Sequence, residues 1–197
     1  MKETKDIILL AAYKMFLDNN YEAVTINSII KAAGITKGGI YHYYASKEEL
    51  FKAVVDKFLI SSRVSTPIEY TSLKEFIEGT INLAKEQTCR KADSFAINHS
   101  LPAQHISLFM DAFKYYPNFA EIGKKFYSDE IDKWRVAIDF AKSNGEIPSD
   151  VDSEIMAMNF IVIGTNIVTN TLFGGSLEYA IDMYGKQLKE LYKSLKT

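Results

Sequence analysis

The sequence predicts an all-α protein with an amino-terminal head and a longer helical body. Apolar residues recur three and four positions apart, which is the spacing of a helix with one buried face. Residues that favour helix starts stand before several of these segments. No alternating run with hairpin turns occurs in the 197 residues, so strands are not expected. We place the head at residues 1–50, a linking helix to about residue 60, and the body at 61–197.

A helix-turn-helix is predicted between Thr25 and Tyr43. Thr25 can cap a first helix, and Gly34 can end it in the left-handed conformation. Thr36 can then cap a second helix that runs to Tyr43. The apolar anchors of the pair are Ile26, Ile29, Ile30, Ala33, Ile35 and Ile40. In this motif the second helix enters the major groove of DNA.

Two flanking helices complete the predicted head. Residues 5–18 carry an amphipathic set made of Ile8, Ala11, Ala12, Met15 and Phe16. Ser46 and Glu49 have the spacing of a capping box, which opens a helix that continues to Leu59. Such a helix would connect the head rigidly to the body.

The charge distribution favours one anion-binding surface rather than a generally basic protein. The net charge is −2, so no general affinity for polyanions is expected. Lys31, Lys37 and Lys47 nevertheless lie in a stretch from residue 25 to 47 that has no acidic residue. Up to residue 60 there are eight lysines against seven acids, and the remainder has fifteen basic residues against eighteen acids. A basic strip on an acidic body suits a protein that contacts phosphates with one surface.

The body is predicted to be a helical bundle. Ser72 and Glu75 form a second capping-box pattern, and further helices are expected near 93–100, 103–115, 118–143, 153–173 and 176–195. The segment 155–173 is nearly all apolar and reaches the length of a membrane span. Three asparagines interrupt it and no basic flank follows, so we expect a helix buried on most sides and no membrane association.

No catalytic, metal-binding or cofactor site is predicted. Cys89 is the only cysteine, which excludes a thiolate cluster and an intrachain disulfide and is consistent with the cytoplasm. His99 and His105 lie six positions apart and do not share a helical face. The sequence has no Gly-rich phosphate loop and no nucleophile elbow, so an enzyme is not expected.

Residues 5–58 resemble the DNA-binding head of the TetR family of transcriptional repressors. The resemblance covers about a quarter of the chain and is carried by Ala11, Ala12, Met15, Phe16, Tyr21, Thr25, Ile29, Ala33, Gly34, Ile35, Thr36, Gly38, Tyr41, Ser46, Lys47, Glu48 and Leu50. Two positions depart from the family pattern. Asn20 stands where the family usually has Gly, and Asn also accepts a positive φ. Tyr43 and Tyr44 replace the usual His-Phe, and we expect Tyr44 to be buried.

Nine residues are predicted to contact DNA. Thr36, Lys37 and His42 are candidates for base edges, and Gly38 with Gly39 would let the helix backbone approach closely. The predicted phosphate contacts are Thr25, Tyr41, Tyr43 and Lys47. The alternative for the aromatic run 41–44 is ordinary core and rim packing.

The resemblance implies a homodimeric, ligand-responsive repressor that binds a palindromic operator. It implies dimerisation through the helices at about 118–143 and 153–173. Aromatic residues of the body could line a pocket for a small apolar or aromatic ligand, with His99 as a polar group, although each is also a plausible core residue. The candidates are Phe95, His99, Phe109, Phe113 and Trp134. Two alternatives remain open, a DNA-binding regulator without a small-molecule ligand, controlled by a protein partner, and a helical carrier protein.

Overall fold

The computed structural model describes residues 3–61, 68–95 and 101–196, and it describes no side chains for residues 87–95 and 101–104. Within these ranges the chain forms nine α-helices and no strand, which confirms the all-α prediction. The helices are α1 Thr4–Asp18, α2 Ile26–Ala33, α3 Lys37–Tyr43, α4 Lys47–Val55, α5 Leu73–Phe95, α6 Leu101–Tyr115, α7 Phe119–Ser143, α8 Ser153–Leu172 and α9 Leu177–Ser194. A π-helical segment, Asp56–Ile60, directly continues α4. The separate helix expected near residue 93 is not found, because residues 93–95 end α5, and residues 96–100 lie outside the described ranges.

The helix boundaries in the head follow the predicted capping residues. The Thr25 hydroxyl accepts the N–H of Ser28 at 3.1 Å, and the Ser28 hydroxyl accepts the N–H of Thr25 at 3.1 Å. Gly34 ends α2 with φ of 65°, a conformation in which a Cβ would be strained. The Thr36 hydroxyl accepts the N–H of Gly39 at 3.1 Å and starts α3. Each turn of the motif is therefore set by local sequence.

The two predicted capping boxes form only their first hydrogen bond as expected. The hydroxyls of Ser46 and Ser72 accept the N–H groups of Glu49 and Glu75, at 3.1 Å in both cases. In both helices the glutamate carboxylate accepts the N–H of the residue before the N-cap, whereas in a capping box it accepts the N–H of the N-cap itself. That of Glu49 accepts the N–H of Ala45 at 2.7 Å. Both helices still begin with a negative side chain near their positive end, which stabilises them.

The chain divides into two compact units. One comprises Met1–Thr66 and Ala103–Glu121, which we call the head unit; the other comprises Pro67–Pro102 and Ile122–Thr197, which we call the body unit. The sequence analysis assigned everything after residue 60 to the body. The two units divide the chain differently at α6, since residues 103–121 group with the head unit and α6 accepts a hydrogen bond from the turn after α1.

The head core is aliphatic and aromatic. Its side chains with no exposed surface are Ile8, Ala12, Phe16, Ile29, Ile40, Leu50, Phe51, Val54, Val55, Leu108 and Ala112. The buried face of α1 also includes Leu9 and Tyr13, whereas Ala11 and Met15 are only half-buried. The buried face of α1 is therefore rotated slightly about the helix axis relative to the predicted face. Ile40 anchors α3 in the core, so the short recognition helix is held by its middle.

The core of the body unit is built around Trp134. Its ring stacks on Phe160 with centroids 4.5 Å apart and meets Phe76 edge-on at 4.9 Å. Aliphatic residues of α5, α7 and α9 fill the rest, among them Ile77, Ile81, Ile138 and Leu188. Helices α8 and α9 pack against each other, and α5 packs against α9.

Glu146 joins the connection between α7 and α8 to helices α5 and α9. Its carboxylate accepts the N–H groups of Leu73 and Lys74 at 2.8 and 3.1 Å and the Tyr192 hydroxyl at 2.7 Å. Partial burial opposes ionisation, but these hydrogen bonds and the charge of Lys196 outweigh it and lower the pKa of Glu146. The carboxylate thus serves as an N-terminal cap for α5 that comes from a distant part of the chain.

Helix α8 is less buried than its composition predicts. Only Ala157 and Phe160 are buried, and Ile155, Val162, Val168, Leu172 and the following Phe173 are exposed. By length and composition it could cross a membrane, and 11% of its apolar window is buried. The expectation that this helix is buried on most sides is therefore wrong for the described part of the chain, because one face packs on α9 and no described residue covers the opposite face.

Candidate nucleic-acid interface

Helix α3 presents a polar outer surface. Thr36, Lys37 and His42 are exposed, and so are Gly38, Tyr41 and Tyr43, while Gly39 is half-buried. Tyr41 exposes 46% of its surface and Tyr43 exposes 37%. The aromatic run is therefore not core packing at positions 41–43. Of the nine residues predicted to contact DNA, six lie on α3, and Thr36 and Thr25 are the N-caps of α3 and α2. The ninth, Lys47, lies at the start of α4.

The two glycines of α3 have different surroundings within the chain. A Cβ added to Gly38 would meet no atom within 4 Å, whereas one added to Gly39 would lie 3.3 Å from the Thr36 hydroxyl oxygen. The fold itself therefore gives no steric reason for Gly38. Glycine at position 38 would instead allow the helix backbone to approach another molecule closely, which agrees with a DNA contact at this point.

Lys47 is held by the protein. Its ammonium donates to the carbonyl oxygens of Tyr21 and Val24 at 2.9 and 3.0 Å. It also lies 4.3 Å from the centre of the Tyr21 ring. Two of its three donors are thus used to join the start of α4 to the turn between α1 and α2. This geometry gives Lys47 a structural role, which the sequence analysis missed, beside the predicted phosphate contact.

Tyr44 is buried, as expected, with 4% of its surface exposed. Among the residues that the structure describes, its hydroxyl has no hydrogen-bond partner. Burial, with the charges of Asp6 and Glu49, raises the pKa of Tyr44 to about 12. Asn20 does not use a positive φ. Its side chain instead accepts the N–H of Ala23 at 2.9 Å, which stabilises the turn before α2.

Helix α6 contacts the turn between α1 and α2 through residues that the sequence did not single out. The buried Asp111 accepts the N–H of Tyr21 at 2.7 Å. Tyr115 stacks on the Tyr21 ring with centroids 4.2 Å apart, and its hydroxyl donates to Glu22 at 2.5 Å. Tyr21 therefore connects α6 with Lys47, and through it with the first turn of α4.

Two further hydrogen bonds join α6 and its C-terminal end to the rest of the head unit. Tyr13 and His105 are hydrogen-bonded, with 2.6 Å between the hydroxyl oxygen and Nε2. The Tyr116 hydroxyl donates to Asp56 at 2.5 Å, and this hydrogen bond raises its pKa to about 12. Tyr116 therefore stays protonated and able to donate at neutral pH. No signal in the sequence reveals these pairs, since the partners are 60 to 92 positions apart.

The predicted ligand residues occupy different environments. Phe109 and Phe113 lie on α6 in an aromatic cluster with Phe119, with centroids 5.0 to 5.2 Å apart. Trp134 is 2% exposed and forms the core of the body unit. The side chain of Phe95 and the whole of His99 lie outside the described residues.

Comparison with known proteins supports the interpretation of the head. Residues 8–54 match the family model described as bacterial regulatory proteins, tetR family. The whole chain superposes on MexZ, a repressor from Pseudomonas aeruginosa, with a TM-score of 0.71 at 17% identity, covering 100% of this chain and 96% of that one. Residues 8–54 therefore match the DNA-binding head of the TetR family, and the whole chain shares the fold of TetR-family structures.

The curated relatives match only part of this chain. The regulator UidR of Escherichia coli is 29% identical over 92 residues, which are 45% of this chain and 47% of UidR. The repressor KstR2 of Mycolicibacterium smegmatis is 38% identical over 55 residues, 28% of this chain and 27% of KstR2. The matches thus span about half the length of the curated relatives or less. Salmonella enterica GusR has the same fold, with a TM-score of 0.59, 23% identity and 98% coverage of both chains.

Members of the TetR family are DNA-binding regulators rather than enzymes. Among the residues that the structure describes, no three metal-binding side chains converge. The candidate site is the exposed surface of α3 together with the amino end of α2.

Proposed function

We propose that this protein is a homodimeric transcriptional regulator that represses by binding a palindromic operator and is released by a small apolar or aromatic ligand. The observation that carries the proposal is the geometry of α3. Ile40 fixes this helix in the core, while its polar side chains and the backbone at Gly38 face outward. This is the arrangement of a helix that enters the major groove.

The side chains of α3 suggest a division of roles. Thr36, Lys37 and His42 have the donors and acceptors needed to read base edges. Tyr41 and Tyr43 carry hydroxyls suited to phosphate oxygens, and the amino end of α2 at Thr25 adds backbone N–H groups and a positive dipole end. Exposed Lys31 and Lys37, with no acidic residue between positions 25 and 47, supply the local positive charge.

One recognition helix makes too few contacts for specific binding, so we infer a two-fold dimer that reads half-sites about 34–36 Å apart. The uncovered apolar face of α8 is the surface that supports this inference best. The further participation of α7, implied by the family resemblance, stays a prediction. Operator DNA is the expected partner, and the cytoplasm the expected location.

The proposed ligand response needs a link between the ligand and α3. Helix α6 provides one, since Asp111 and Tyr115 bind the turn that precedes α2. A ligand that favours another position of α6 would move this turn and change the fit to DNA. A shift from 1% to 99% of the released state requires about 5.5 kcal/mol of differential affinity. The exposed part of the aromatic cluster around Phe113 is the candidate ligand contact within the head unit.

A regulator without a small-molecule ligand is the second candidate. It is favoured by Trp134, which packs fully in the core with Phe76 and Phe160 and is not available to line a pocket. Thermal unfolding in the presence of a panel of apolar and aromatic compounds separates the two. A compound that raises the midpoint and also releases DNA supports the first candidate. Absence of any such compound, with DNA binding intact, supports the second.

DNA binding itself is tested with a fluorescent duplex and purified protein over a range of salt concentrations. We expect the logarithm of the binding constant to fall linearly with the logarithm of salt. Lys37→Ala should weaken binding, whereas Lys189→Ala, an exposed lysine of α9, should not. No binding at low salt, or equal loss in both variants, would contradict the proposed interface.

A further inference from the structure

The connection between α7 and α8 contains the only asparagine of the sequence that is followed by glycine, Asn144 before Gly145. Both residues are exposed, and they directly follow Ser143, the last residue of α7. Gly145 has a φ of 74°, and a Cβ added to it would meet no described atom within 4 Å. The residue after Asn144 therefore has no side chain, and its backbone is open to solvent.

An exposed asparagine followed by glycine has a chemistry of its own. Hydroxide removes the proton of the following backbone N–H, and the nitrogen attacks the side-chain carbon Cγ. The bond from Cγ to the amide nitrogen then breaks, and the leaving group takes a proton from water and departs as ammonia. Water opens the resulting succinimide ring at either carbonyl, which gives aspartate or isoaspartate. Glycine favours the reaction because a side chain on the following residue would hinder the attack.

The side chain of Asn144 is folded back over the backbone that it would react with. Its oxygen Oδ1 accepts the N–H of Glu146 at 3.1 Å, which is the hydrogen bond of an Asx turn. This bond spans the nitrogen of Gly145, so it holds Cγ on the side of the attacking atom. It also draws electron density from the amide carbonyl, which makes Cγ more reactive towards a nucleophile.

The end of α7 supplies the hydrogen bond that the reaction has to break. The N–H of Gly145 donates to the carbonyl of Lys142 at 3.2 Å, and the N–H of Glu146 donates to that of Ala141 at 2.8 Å. These are the two hydrogen bonds of a Schellman motif. The bond to the attacking nitrogen is the longer of the two, and it lies at an exposed helix end, where local opening costs little free energy.

The same turn positions Glu146. The carboxylate of Glu146 caps the first turn of α5 and accepts the Tyr192 hydroxyl of α9. Isoaspartate adds a carbon to the main chain between positions 144 and 145, so the spacing of the Schellman motif is lost. It also places a new carboxylate two residues from Glu146. Both changes displace Glu146 from its partners and weaken the connection between this turn, α5 and α9.

We propose that Asn144 is a modification site, which the nitrogen of Gly145 converts to aspartate and isoaspartate with water as the co-reactant, and that the isoaspartate form loosens the cap that Glu146 places on α5. The inference concerns the body unit alone and goes beyond the proposed function. Its failure would leave DNA binding and the ligand response untouched.

Incubation of the purified full-length protein at neutral and mildly alkaline pH tests the modification, with peptide mass spectrometry as the readout. We expect the peptide that contains Asn144 to gain the mass of an amide-to-acid conversion, at a rate proportional to hydroxide concentration. Two products of equal mass should separate by chromatography, since the ring opens to aspartate and isoaspartate.

Asn118 is the matched control within the chain. It is exposed and has a positive φ of 57°, but the buried Phe119 follows it. We expect Asn118 to keep its amide, and we expect an Asn144→Gln variant to show no mass gain at this site, because its longer side chain closes a ring far more slowly. Equal conversion at Asn118, no conversion at Asn144, or a single aspartate product without isoaspartate would each overturn the assignment of the site.

Thermal unfolding and amide hydrogen exchange test the effect on Glu146. The incubated parent should unfold at a lower temperature than a fresh Asn144→Asp variant, which has the new charge without the additional carbon. Exchange of the Leu73 and Lys74 amides should become faster after incubation, since these groups lose their acceptor. In a Glu146→Ala variant incubation should lower the midpoint by less than in the parent. Unchanged exchange at α5, or an equal shift in both backgrounds, would contradict the role assigned to Glu146.

Discussion

Replacing Lys47 with methionine tests whether this residue stabilises the head. The change keeps the length of the side chain but removes two hydrogen bonds to carbonyl oxygens and the contact with the Tyr21 ring. A hydrogen bond from a charged group contributes roughly 1.5–3 kcal/mol and an exposed cation–π contact about 0.5–1 kcal/mol. The low ends of these ranges sum to about 3.5 kcal/mol for the two hydrogen bonds and the ring contact. Because the site is only half-buried and solvent weakens such contacts, we expect a loss of about 2 kcal/mol.

The assay is thermal unfolding followed by circular dichroism, with Lys52→Met as the matched control. Lys52 lies on the same helix and pairs with Glu48 at 3.0 Å on the surface, a contact worth about 0.3–0.5 kcal/mol. For a chain of this size we expect the midpoint to fall by about 4–8 °C for Lys47→Met and by less than about 2 °C for the control.

The salt dependence of DNA binding completes the test at a temperature where both variants are folded. A residue that contacts one phosphate adds about 0.9 to the slope. Equal midpoints for the two variants, together with a slope reduced by about 0.9 for Lys47→Met alone, would refute the structural role. Lys47 would then be a phosphate contact only.

Four other substitutions make separate predictions. Gly38→Ala should raise stability by up to about 1 kcal/mol, since its Cβ has room in the fold, yet weaken DNA binding; unchanged affinity would mean that no close approach occurs there. Tyr44→Phe should raise the unfolding midpoint by about 2–4 °C, because it removes a buried hydroxyl that has no partner among the described residues. A lower midpoint would show that this hydroxyl does have a hydrogen-bond partner. Glu146→Gln should cost about 1 kcal/mol at pH 7. The pKa of Glu146 is lowered on folding, so its carboxylate contributes fully to stability above the unfolded pKa near 4.3. This contribution disappears as the pH falls through the folded pKa. A stability difference between Glu146→Gln and the parent protein that persists at pH 2 would contradict this assignment. Lys37→Ala should change the sequence preference of DNA binding if this side chain reaches a base edge, whereas an equal loss on all sequences would place it on phosphate.

The helix-turn-helix could be predicted from sequence because its signals are local. Thr25 and Thr36 cap helices through amides three residues away, and Gly34 adopts the expected positive φ. The burial of Tyr44 could also be predicted from helical geometry and the position of Ile40.

The contacts that complete the site could not be predicted, because they join residues far apart in the chain. Asp111 binds the backbone of Tyr21 across 90 positions, and nothing near either residue signals the pairing. Composition also could not locate the free face of α8. Its apolar residues occur all around the helix, and only packing on α9 decides which of them are covered.

The sequence preference of the purified protein tests the central claim most directly. The measurement is selection of bound duplexes from a random DNA library at two salt concentrations, followed by sequencing. We predict a palindrome whose half-sites lie about one helical turn apart, or a multiple of it, and which is retained at the higher salt concentration. Recovery of DNA with no common sequence, lost entirely at higher salt, would contradict the assignment of α3 as a sequence-reading helix.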